Sequence, residues 1–93
     1  MALYLGDVKS NVATATNTVV NFPARVRSIY YTANASAGSI VVKDGGSGGT
    51  TVISIATPAS GYGSIVIPAD GVLCSTNVHV TLTNIASTTV FYS

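Results

Sequence analysis

Along most of this chain apolar and polar positions alternate with a period of two, the spacing of a strand that buries one face and wets the other. NVHVTLTN (77–84) is the clearest run: Val78, Val80 and Leu82 fall on one face, and Asn77, His79, Thr81 and Thr83 on the other. TTVISIAT (50–57) sets Ile53 beside Ile55, and GSIVI (63–67) sets Ile65 beside Ile67. With RVRSIYYTA (25–33), SIVVK (39–43) and STTVFY (87–92), these runs read as strands bounded by turn residues. TNTVVNF (16–22) adds another, which Pro23 confines to an edge or a corner. No capping box precedes a helix-period run.

The punctuation agrees with the strands. KDGGSGGTT (43–51) places four glycines between two strand-like runs and predicts a flexible hairpin loop. PADG (68–71) supplies the fixed φ, side-chain acceptor and positive φ of a tight turn. Short strands at this spacing predict an all-β fold, an antiparallel β-sandwich, Ig-like or jelly-roll-like, of about seven to eight short strands. Residues 18–93 form the sandwich in this reading. Residues 1–17 are either a frayed end with a first edge strand, or an arm whose Leu3, Tyr4 and Leu5 dock on a neighbouring subunit.

Composition changes the picture by what it removes. Val and Ile number 20 and Ser and Thr 23 of 93 residues, while Glu, Gln and Trp are absent. Charged residues make up 8%, four basic against three acidic, for a net charge of +1. Four scattered cations cannot make the basic stripe that grips phosphates, so nucleic-acid binding is not expected. His79, Cys74 and three Asp lie far apart in sequence, which argues against a metal site or any other cofactor. One cysteine makes no internal disulfide, in keeping with assembly in a reducing cytoplasm. No apolar run approaches the ~20 residues of a membrane-spanning helix. The opening MALYLGDVKS lacks the basic and long apolar regions of a signal peptide, so we expect the chain to stay where it is made or to leave in a particle. A positive mean hydropathy (+0.51) with so few charges predicts that other chains cover part of the surface, as in a homo-oligomer.

Candidate chemistry is thin. Lys43 precedes the glycines of its loop, whereas a P-loop needs lysine after them. No G-x-S-x-G elbow singles out a nucleophile for His79 and Asp70, and with no Glu the paired carboxylates of a glycosidase are missing. Cys74, beside Val72 and Leu73, reads as a small buried hydrophobe, and His79 as an exposed or interface residue. No catalytic residue is assigned, and no enzymatic activity is expected. Interface candidates remain. Tyr30 and Tyr31, adjacent on a strand, point to opposite faces, and we assign Tyr31 to the interface with Tyr62 of the SGYG turn. Arg25 and Arg27 share a strand face from which they can bridge carboxylates on a partner.

From about residue 25 onward the order of the pieces is familiar. The features R-x-x-x-I-Y-Y, the KDG loop ending in GTT, the I-P-x-D-G-V turn and the closing L-T-N-x-x-x-x-T-V-F-Y resemble small β-sandwich virion structural proteins of tailed bacteriophages. The resemblance implies a virion location after assembly in the host cytoplasm, and a capsid decoration (cement) protein bound to the major capsid protein or another virion protein. A trimer at local threefold positions of the head is the assembly we expect. A tail, fibre or adaptor module and a carbohydrate-binding module are the alternatives, the latter weakened by the absence of Trp.

Overall fold

The computed structural model describes residues 8–68 and 71–93. Among them are nine strands and no helix: β1 (Lys9–Ala13), β2 (Asn17–Val20), β3 (Ala24–Ala33), β4 (Gly38–Asp44), β5 (Thr50–Thr57), β6 (Tyr62–Val66), β7 (Val72–Cys74), β8 (Val78–Thr83) and β9 (Ile85–Tyr92). All pair antiparallel, in two sheets. The first sheet has the order β1-β9-β3-β6, with β7 continuing the β6 edge along β3; the second is β2-β8-β4-β5. The fold is therefore the expected all-β sandwich.

The pairing is nested. β4 meets β5, β3 meets β6 and β7, β2 meets β8, and β1 meets β9. The chain is thus folded in half about the β4–β5 hairpin and rolled, so that β9 also meets β3 and β8 also meets β4. This is the double-sheet jelly-roll arrangement, one of the two alternatives the sequence left open. Nine strands are one more than the upper expected number, and two of them, β1 and β7, lie outside the runs read as strands. β1 is largely exposed and polar, and it belongs to the first sheet through a five-residue ladder with β9. β7 is three residues long, and Gly71, just before it, donates its N–H to Pro68 O at 3.1 Å.

The core is the contact between the sheets. Val26, Ile29 and Val90 of the first sheet and Ile40, Val42, Val78 and Val80 of the second are fully buried. Each such side chain contributes roughly 1.5–3 kcal/mol by leaving water. In β3 the buried positions Val26 and Ile29 are three apart, which strict alternation forbids; a register shift between Val26 and Ser28 against β9 turns both inward.

The two ends of the sandwich differ. At one end the links 21–23 and 75–77 cross between sheets, near Lys9, Arg25, Lys43 and Asp44. The other end carries the links 14–16, 34–37, 58–61 and Asn84, none of them charged. There Asn34 N–H donates to Asn84 O at 3.0 Å and Ser60 N–H to Asn34 O at 2.7 Å. The approach is so close at Gly38 that a Cβ would collide with the Thr83 carbonyl oxygen.

Candidate interaction face

Because side chains alternate, each sheet has an outer face as well as an inner one, and the two outer faces are built differently. On the first sheet the outer rows run Ser10–Phe91–Ser28–Val66, Val12–Thr89–Tyr30–Ser64 and Ser87–Thr32–Tyr62, with Arg25 opposite Leu73 at one end. Large apolar side chains stand open to water there: Val8 57%, Val12 64%, Tyr30 41%, Tyr62 76%, Val66 78% and Leu73 51% exposed. Tyr30 is a diagonal neighbour of both Tyr62 and Val66, within reach of an aromatic ring. Phe91, half-buried, fills the diagonal between Val12 and Tyr30.

On the second sheet the outer rows are Thr18–His79–Lys43–Thr51, Thr81–Val41–Ser54 and Thr83–Ser39–Ala56. None of the exposed large apolar residues lies on it. Its one ring is His79, which the sequence placed on a solvated or interface face. The structure corrects this: His79 does point away from the core, between inward-facing Val78 and Val80, yet it is only 7% exposed. Its Nδ1 lies 3.0 Å from Thr18 Oγ1, and Nε2 is buried with no hydrogen-bond partner.

The other residues singled out from sequence fall as follows. Tyr62 and Arg25 lie on the exposed outer face of the first sheet. Tyr31 does not: it is 8% exposed and packs into the core, its hydroxyl end lying against Gly63, where there is no Cβ to block it. The pair was read as one inner and one outer ring, but Tyr30 takes the outer place, because the shifted register in β3 sets the phase of the residues after Ser28. Arg27 is engaged within the chain, its Nε donating to Ser93 Oγ at 2.8 Å. Leu3, Tyr4 and Leu5 lie outside the described residues. Cys74 is fully buried, and burial first, then the Asp44 charge, pushes its thiol up to about 11. A thiol held protonated is a poor nucleophile.

A polar cluster that sequence reasoning missed joins the β4–β5 loop to the 75–77 crossing. Asp44 accepts from the Ser75 N–H at 3.0 Å, the Ser75 hydroxyl at 2.9 Å and the Thr76 N–H at 2.8 Å. In return Asn77 Oδ1 accepts the N–H groups of Gly45 and Gly46, each at 3.0 Å. The backbone donors of Thr76 and Ser75 hold the Asp44 carboxyl below its ordinary range. The chemistry is that of a clasp, because the Asp44 carboxylate and Asn77 Oδ1 accept from N–H groups of this chain itself. Among the described residues no three His, Cys, Asp or Glu side chains come together, and there is no pocket. No protein-family model, curated protein or solved structure matches the chain.

Proposed function

We propose that this chain is a structural protein of a phage virion, a capsid decoration protein that seats the outer face of its first sheet on the major capsid protein. The observation that carries the reading is the one-sided exposure of Val12, Tyr30, Tyr62, Val66 and Leu73, with Arg25 at the margin. Aromatic rings flanked by small hydroxyl residues make good contact anchors, since they bury much area and lose little side-chain entropy. Arg25 suits a carboxylate on the partner. The phage setting comes from the sequence resemblance, and the jelly roll adds an analogy of fold, since capsid proteins use it as lectins and cupins do. Each copy need bind only modestly, because repetition over a symmetric shell makes detachment of the whole layer slow.

The test is the copy number and location of the chain in purified particles, by quantitative protein analysis and electron microscopy. We expect on the order of hundreds of copies on the head surface. A dozen or fewer at the tail would replace this reading with the tail or adaptor one. Absence from particles altogether, with binding to a glycan array, would replace it with the carbohydrate-binding one.

A further inference from the structure

We draw no further inference here: the strongest candidate, the covered ring of His79 in the outer row of the second sheet with its Nε2 unpartnered, carries nothing because Lys43 stands opposite it while the Asp44 carboxylate accepts from the Asn77 N–H two residues away, so a proton taken up there meets opposing charges and the structure gives its effect no sign.

Discussion

The outer faces of the two sheets obey the same alternation and reach opposite ends. On the second sheet, most outward positions are hydroxyls, such as Thr81, Thr83, Ser39 and Ser54, the apolar ones are small or half-buried (Ala56, Val41), and the one ring, His79, is tucked among its neighbours. On the first sheet, outward positions include Val12, Tyr30, Tyr62 and Val66 among the hydroxyls, and all four are exposed among the described residues. Burial in the core explains neither choice, since the inner faces are equally apolar. The difference teaches that one outer face suits water, and that the other is the face the proposed function would cover with a partner. If so, substitutions on the first sheet should change binding and spare stability, and those on the second should do the reverse.

On the proposed function, the largest effect expected is on the outer face of the first sheet. Tyr62→Ser with Val66→Ser removes two of the most exposed apolar side chains from one edge strand. We expect per-copy affinity for the particle to fall roughly 10- to 100-fold, as for the loss of interface anchors worth 1.4–2.8 kcal/mol together. Unfolding free energy should move by no more than about 0.5 kcal/mol, as for surface sites. Thr83→Lys, on the exposed outer face of the second sheet, should leave affinity within about threefold. Particle-binding isotherms read both, and an equal loss from the two would erase the distinction between the faces.

Next comes stability, tested by two outward rings. His79→Ala empties a site that is closed to water and breaks the bond to Thr18 Oγ1, and should cost about 2 kcal/mol. The penalty is held down because the ring leaves with an unpaired Nε2, whose burial already costs something. Tyr30→Ala removes a larger ring from the first sheet and should cost under about 1 kcal/mol, since nearly half of that ring is already in water. Urea denaturation of both variants gives the order. A reversed order would mean that His79 is not part of the packed structure.

How far this was legible in the sequence depends on the kind of interaction. Period-two runs such as NVHVTLT located seven strands, because a half-buried strand writes its burial into alternate residues. β1 was left between arm and edge strand, since its residues are mostly exposed and carry no such pattern; β7 was too short to show one. The face of Tyr31 was misjudged because one extra residue near Ser28 reverses the phase, and a bulge is a property of the pairing of two strands. His79 was misplaced for a related reason: alternation says which way a side chain points, not whether neighbouring rows close over it. Of the exposed outer face of the first sheet, Tyr62 and Arg25 stood out in the sequence, while Val66 and Leu73 looked like ordinary strand residues. The Asp44–Asn77 clasp joins positions 33 apart, and only the folded chain brings them together.

That clasp supplies the smallest effect, one that again separates the sheets. Asp44 sits at the hairpin tip of the second sheet, and its carboxyl is held low chiefly by the N–H groups of Thr76 and Ser75. A group whose folded pKa lies below its unfolded one adds stability in full above the ordinary value of 3.8, and that contribution is lost as pH falls through the lower folded value. Acid should therefore loosen the 44–46 and 75–77 junction before the rest of the sandwich. Tm measured between about pH 5 and pH 2 should fall more steeply for the wild type than for Asp44→Asn, which has no charge to lose and keeps one acceptor oxygen. The protection factor of the Thr76 amide, its slowing relative to a free amide at the same pH, should fall over this range, while that of Ile29, in the centre of the first sheet, holds. Equal acid slopes for wild type and Asp44→Asn would mean that the donors at the tip find other acceptors, and that the second sheet is no more acid-sensitive than the first.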